Sequence, residues 1–329
     1  MRLVGNSIRL SPVCTMDTGD TMFKTFTFSG FRRVIFAALM AVSVSLHAQD
    51  DMIWNALDPY NTVYLETQDG TAVIALNPTF APETVSFFKG LLEDQFYRGL
   101  SFYRVIDGFV AQGGDESDVD GTQPATTLKA EFEINWPLKP KDKEAAKDWQ
   151  PMSWTPVQSN DLFAPFTGFI DGFPAARDNK KAGKAWLTHC PGTVAMARNN
   201  DPDSSGTDFY IVIGQAPRYL DRNLTVFGRV VWGMDVVQRI KRGPTLDNGI
   251  IEKDLDRTWI KRMRLAATVK KERQLDVYVA DTNSAGFKRL LKERRNRSDS
   301  FFHHKPPRVL DICQVPIPVR LEKSYSTRR

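Results

Sequence analysis

The sequence predicts a mainly β fold, an antiparallel sheet of short strands that closes on itself or packs in two layers, with two helices against it. Three observations predict it. Thr62–Thr67 (TVYLET) and Thr71–Leu76 (TAVIAL) flank Asp69-Gly70, and β-rich runs around Asp-Gly read as a hairpin. Short β runs recur at Ser101–Ile106, Gly192–Ala197, Phe209–Ile213 and Val226–Val231. Two stretches of this body show helical spacing instead. In the first, Ala81-Pro82-Glu83-Thr84 precedes Val85, Phe88, Leu91 and Leu92; Pro in the first turn and an acid at the positive end of the helix dipole suit a helix start. The second spans Met234–Arg242, with Val236, Val237 and Ile240 inward and Gly243-Pro244 as the stop.

Three regions fall outside this pattern. In residues 1–48, Arg32-Arg33 precede the uncharged run Val34–Leu46, and Ala48 closes it. A basic stretch, an apolar run of secretory length and a small residue form an export signal, so the protein is expected to be exported and periplasmic. Residues ~134–186 hold Trp136, Trp149, Trp154, Phe163, Phe166, Phe169, Phe173 and Trp186. That aromatic density predicts a packed insertion within a domain spanning 49–268; it either walls one side of a substrate groove or extends the core. Residues 269–329 form a basic C-terminal extension. In it Phe287, Leu290 and Leu291 make an apolar stripe on a basic helix, and Val309–Leu321 reads as a strand that its two prolines confine to an edge.

The 329 residues are 42 % apolar and 25 % charged, the balance of a globular chain rather than a disordered or collagen-like one. No apolar run reaches the roughly 18 residues of a membrane span. The net charge of +5 divides into +3 on residues 1–48, +8 on 286–329 and −6 between them. The basic tail is expected to pack on the acidic body as a solvated helix face, with weak contact to anionic surfaces as its other use; export argues against nucleic acid. Of three cysteines, Cys14 leaves with the leader. Cys190 and Cys313 remain in an oxidising compartment, where they either form one disulfide or stay free and buried; their spacing does not decide between the two.

Motif exclusions narrow the chemistry. The chain has no H-E-x-x-H, C-x-x-C, G-x-S-x-G or G-x-G-x-x-G. Asp201, Asp203, Ser205 and Gly206 begin like a calcium loop, but Val212 stands where a bidentate acid is needed. His303-His304 lack further ligands, so no metal and no cofactor is expected. Cys190 reads as a core residue rather than a nucleophile. His189 reads as a structural hydrogen-bonding group. One stretch remains: Phe102-Tyr103-Arg104-Val105-Ile106-Asp107-Gly108-Phe109-Val110-Ala111-Gln112-Gly113-Gly114-Asp115. On a strand, Arg104 and Ile106 share a face, and the glycines bend Phe109 and Gln112 back over it. The plain alternative is a core strand with a snorkelling arginine.

This run closely resembles the signature of the cyclophilins, a family of peptidyl-prolyl cis–trans isomerases. Two further blocks agree in order: Leu187–Arg198 followed by Gly206–Ile211, and Tyr219–Val230. The resemblance covers ~62–133 and ~187–266. It implies an eight-stranded antiparallel closed barrel capped by two helices, here in an exported bacterial-like form with the insertion and extension added. It places the catalytic role on Arg104, with Phe109 and Gln112. It places substrate binding on Val110, Tyr210, Leu220 and Leu224 and on the Ala197, Arg198 and Asn199 backbone. Val110 stands where Met is commoner, Tyr210 where Phe is usual, Tyr219 for Trp and Leu224 for His. Asp208 replaces Gln at a position from which it could compete for Arg104.

The chemistry implied needs no nucleophile or titrating base. The X-Pro bond rotates unaided in tens to hundreds of seconds over a barrier of ~20 kcal/mol set by amide resonance. At the perpendicular state the prolyl nitrogen regains its lone pair, and an enzyme must favour that state over both planar ones. A dry pocket holds the ring, Arg104 donates to the lone pair or the rotating carbonyl, and Gln112 orients that carbonyl. The expected partners are unfolded or extended polypeptides containing X-Pro. The alternative is a non-catalytic module or chaperone that uses the same barrel to hold proline-containing segments.

Overall fold

The computed structural model describes residues 51–116, 127–137 and 152–322. The expected leader lies outside the described residues. Three antiparallel sheets of nine, five and three strands build the fold. The expected hairpin forms over Thr62–Thr67 and Gly70–Leu76, with Thr67 opposite Gly70. Gly70 takes φ 138°, which its lack of a Cβ permits. Strands also form at Ser101–Val105, Thr193–Met196, Phe209–Val212 and Val226–Trp232, matching the four recurrent β runs.

The large sheet is not the closed eight-stranded barrel implied by the resemblance. It is a nine-stranded sheet curled around its core, with free ladder edges at Thr258–Trp259 and Arg262–Leu265. These two edges are nearly consecutive in the chain. Between them Ile260 donates its N–H to Leu100 on one side and Lys261 donates to Glu66 on the other. The chain therefore changes partner within two residues, and the ladder stops instead of closing. Fully buried Ile260 fills the seam. Inside lie Leu65, Ile74, Phe88, Phe102, Phe209 and Phe227, where Phe88 meets Phe227 at 4.8 Å between ring centroids.

Helices number three among the described residues, not two. Pro82–Glu93 begins at its proline as expected. The second, expected over 234–242, is α-helical only over Met234–Gln238. Beyond that point Arg239 and Ile240 bond three residues back, which tightens the last turn. Val236, Val237 and Ile240 are buried all the same. The third, Ala285–Asn296, is the basic helix of the extension. Ser284 caps it by accepting from the Phe287 N–H, and Phe287 and Leu291 are buried.

The insertion supplies the five-stranded sheet. Its strands are Ile134–Trp136, Trp154–Ser159, Phe166–Ile170, Phe173–Arg177 and Gly183–Leu187. Asp171 and Gly172 both take positive φ in the turn that joins two of them, as a two-residue hairpin requires. Trp136 and Trp154 both lie against the Arg177 guanidinium, 4.9 and 3.9 Å from their ring centres. The three-stranded sheet joins Trp54–Ala56, Asp276–Ala280 and Val319–Glu322. The expected strand over 309–321 is thus confined to its end. Pro316 and Pro318 lack the N–H a ladder needs, and Ile312–Gln314 is a 3-10 turn. Cys190 and Cys313 form a disulfide, tying the extension to the body.

Candidate functional site

Arg104 owes its placement to a bulge. Its strand pairs with Val110–Gly114 in register at Phe102–Gly113, shifts, and resumes at Arg104–Gln112. The extra residue leaves Tyr103 buried on one side and turns Arg104 towards Gln112. Arg104 Nη1 donates to Gln112 Oε1 at 2.9 Å, and Nε donates to the Asn248 carbonyl at 3.2 Å. Gln112 Nε2 in turn donates to the Tyr103 hydroxyl at 2.6 Å. That chain fixes the amide so that its oxygen, not its nitrogen, faces the guanidinium. Among the described residues Arg104 has no ion-pair partner, so its charge is oriented but not neutralised.

Asp208 does not compete for Arg104. It is fully buried beneath Gly114, where an added Cβ would lie 1.8 Å from its Oδ1. The same oxygen accepts from the Glu116 N–H. Gly114, with φ 151° and no side chain, is what allows the carboxylate that close.

A cavity of about 430 Å³ opens beside Arg104. Nine of the ten residues expected at the site line it: Arg104, Phe109, Val110, Gln112, Ala197, Arg198, Tyr210, Leu220 and Leu224. Asn199 lies instead in an adjoining depression that it shares with Arg198, Leu220 and Leu224. The amides expected to pair with a bound chain are partly engaged, since Ala197 N–H donates to Asp208 and Asn199 N–H to Ser204 Oγ. Arg198 clamps its own loop by donating to the Asn199, Asn200 and Asn223 carbonyls.

Tyr210 introduces a hydroxyl, but not into the cavity. Its Oη lies 2.8 Å from His189 Nε2, while His189 Nδ1 lies 3.0 Å from Asp221 Oδ1. In the neutral ring, a carboxylate at Nδ1 holds the proton there and leaves Nε2 to accept from Tyr210. Asp221 Oδ2 accepts from Arg218 Nε at 2.6 Å, and Arg218 also faces Asp161 of the insertion at 3.3 Å. This buried chain holds both the Tyr210 wall and the Arg218–Leu220 turn. Burial pushes the Tyr210 hydroxyl well above the usual tyrosine range, with Asp221 adding to the effect. His189 is thus a structural hydrogen-bonding group, as read from the sequence.

Sequence reasoning missed Tyr103, Asn248 and Ile250. Asn248-Gly249 signals a tight turn, and Asn248 takes φ 52°. Nothing in the sequence shows that this turn presents its carbonyl to Arg104, 144 residues away. Among the described residues the insertion contributes none to the cavity lining. Its Ile170, Ala175, Ala185 and Leu187 pack in one cluster with Val110, Ala197, Tyr210 and Val212, which backs the site instead of walling it.

Residues 62–263 match the family described as cyclophilin type peptidyl-prolyl cis-trans isomerase/CLD. A probable peptidyl-prolyl cis-trans isomerase of Brucella suis biovar 1 is 32 % identical over 222 residues, covering 68 % of this chain and 91 % of the relative. A peptidyl-prolyl cis-trans isomerase of Acinetobacter baylyi is 29 % identical over 193 residues, covering 57 % and 76 %. Among solved structures, the cyclophilin AquaCyp293 from Hirschia baltica superposes with a TM-score of 0.64 at 27 % identity, covering 84 % of this chain and 96 % of that one.

Proposed function

Because the chain belongs to the cyclophilin-type peptidyl-prolyl cis–trans isomerases, we propose that it accelerates X-Pro rotation in unfolded or extended exported proteins by stabilising the twisted amide at Arg104. The observation that carries this reading is the oriented, un-neutralised guanidinium at the edge of an apolar cavity. Phe109, Val110, Tyr210 and Leu220 hold the prolyl ring and exclude water. Arg104 donates to the prolyl nitrogen lone pair or to the carbonyl as it turns. Gln112, pinned by Tyr103, keeps the guanidinium in place and faces the same carbonyl. An acceleration of 10⁴–10⁶-fold asks for ~5.5–8 kcal/mol. A charge-assisted hydrogen bond accounts for ~1.5–3 kcal/mol of that, and more when preorganised in a dry site.

Export to the periplasm is part of the proposal. The basic and apolar leader pattern of residues 1–48 supports it, as does the Cys190–Cys313 disulfide, since such bonds persist in oxidising compartments. Within the exported chain we assign residues 49–268 to the isomerase domain and 269–329 to an extension docked on it. A protease-coupled assay on a short X-Pro peptide, run with the wild type and Arg104→Ala, tests the catalytic reading. A folded wild type that binds the peptide without accelerating rotation would establish the holding module instead.

A further inference from the structure

A second cavity, of about 660 Å³, lies where the three sheets meet. The Val226–Trp232 strand contributes Arg229 to it, and the insertion turn contributes Asp171 and Phe173. The remaining walls include Asn55–Asp58 and Val279–Asn283. Both of these segments lie outside residues 62–263, which match the family. The cavity therefore exists because the added segments close over a family strand. Among the described residues it shares no lining residue with the cavity beside Arg104.

Its distinguishing group is Arg229. Among the described residues this guanidinium has neither a hydrogen bond nor an ion pair, and its Nε is shut off from solvent. One face is covered by the Phe173 ring, 5.6 Å away. Burial lowers its pKa to about 10, so it stays charged at neutral pH. Arg262 and Arg264, by contrast, share Glu66, and Arg257 takes Glu116; Arg177 also lacks a hydrogen bond and an ion pair among the described residues but has two indole rings, Trp136 and Trp154, against it. The carboxylates lining this cavity bond neutral neighbours and not Arg229. Asp58 accepts from Tyr60 N–H and Asn61, Asp171 from the Ser153 hydroxyl, and Asp281 from Asn283 N–H. Thr282 Oγ1, in another wall, is also buried without a partner.

Arg229 is half-buried, and its Nε, shut off from solvent, has lost hydration that no partner among the described residues replaces. We propose that this cavity is a binding site for a small monocarboxylic acid whose carboxylate pairs with the Arg229 guanidinium. The volume falls within the roughly 300–1,000 Å³ of small-molecule sites. A planar fork of N–H donors matches a carboxylate, and with Phe173 over its face the guanidinium presents its edge to the ligand. A single cation among three aspartates disfavours a phosphate dianion, whose second charge would meet only acids.

The test is isothermal titration of the full chain at fixed ionic strength with acetate, benzoate, L-lactate and L-alanine, and separately with inorganic phosphate. At least one of the four carboxylates is expected to bind saturably at one site. Its affinity should fall at least tenfold in Arg229→Met and at least threefold in Arg229→Lys, which keeps the charge but not the fork. Absence of saturable binding by all four to the wild type would overturn the proposal, with no variant needed. So would phosphate binding more tightly than every carboxylate, or undiminished binding in Arg229→Met. Should Arg229→Met not fold, Arg229→Lys decides.

Discussion

Arg104→Ala removes one side chain and changes two things that the geometry separates. The first is the donor for the twisted amide. If that donor contributes the ~1.5–3 kcal/mol of a charge-assisted hydrogen bond, then at 1.36 kcal/mol per decade kcat/KM falls by about 12- to 160-fold. The loss belongs in kcat, because the lone pair it addresses exists only in the perpendicular state; a planar substrate offers it little, and KM should move less than about threefold. The second is the support Arg104 gives to Gln112 and to the Asn248 turn. Gln112 keeps its bond to Tyr103, and Arg104 is only half-buried, so the stability cost should stay near 1 kcal/mol. Arg104→Lys retains the charge but cannot reach Gln112 and the Asn248 carbonyl together, and it should fall between wild type and alanine. The assay is peptide isomerisation across a substrate series, with the urea midpoint measured in parallel. Because the proposed mechanism moves no proton at any side chain, wild-type kcat/KM should also be level from about pH 6 to pH 9. A folded Arg104→Ala within threefold of wild type, or a deficit confined to KM, would refute the reasoning.

Three further outcomes follow from the surroundings of the site. Tyr210→Phe should leave kcat/KM within about threefold while costing ~1–2 kcal/mol of stability, because the hydroxyl faces His189 and not the cavity; a tenfold change in activity would place that hydroxyl in the pocket. Cys313→Ser opens a loop whose ends are 123 residues apart, worth about 5 kcal/mol by chain entropy at most; its urea midpoint should match that of wild type in reductant, and a variant as stable as the oxidised wild type would contradict this. Burial raises the Tyr97 and Tyr210 hydroxyls well above their ordinary value. The stability these two supply is full below about pH 10, the unfolded value, and is lost as pH climbs towards their folded values. The urea midpoint of wild type should therefore drop more steeply above pH 10 than that of Tyr97→Phe.

What the sequence made legible follows from the range of the forces involved. The hairpin at Asp69-Gly70, the proline-led helix and the four β runs are local: turn chemistry and side-chain period act over a few residues, and all formed. The second helix tightened its last turn to bonds three residues back, and the 309–321 run lost most of its strand because Pro316 and Pro318 offer no donor. The site residues were legible through Arg104 and Gln112, on two paired strands, and Phe109, in the turn that joins them, all within nine positions of one another. Asn248 was not, since a backbone carbonyl carries no side-chain signature and meets Arg104 only through tertiary placement. The Cys190–Cys313 pair was equally open, because two cysteines in one compartment do not reveal their distance. The barrel count failed at Ile260-Lys261, where two backbone bonds to different strands replace a continuous ladder.

The insertion and the extension act on the site from behind. Asp161 of the insertion faces Arg218, Arg218 holds Asp221, Asp221 fixes His189, and His189 takes the Tyr210 hydroxyl. Directly next to His189, Cys190 is bonded to Cys313 of the extension. Both additions thus converge on the one wall where this chain departs from the usual phenylalanine. A tyrosine there would leave a polar group unpaired in an apolar pocket unless it had an acceptor, and a buried histidine could serve only if a carboxylate fixed its proton on the far nitrogen. Arg218, itself facing Asp161, then balances that carboxylate out of reach of water. The substitution at the pocket and the segments added around the barrel are in this sense one arrangement. The edge of the cavity at Arg104, Gln112 and Tyr103 is held from within the family core, while the opposite wall at Tyr210 and Leu220 is held partly by what was added to it.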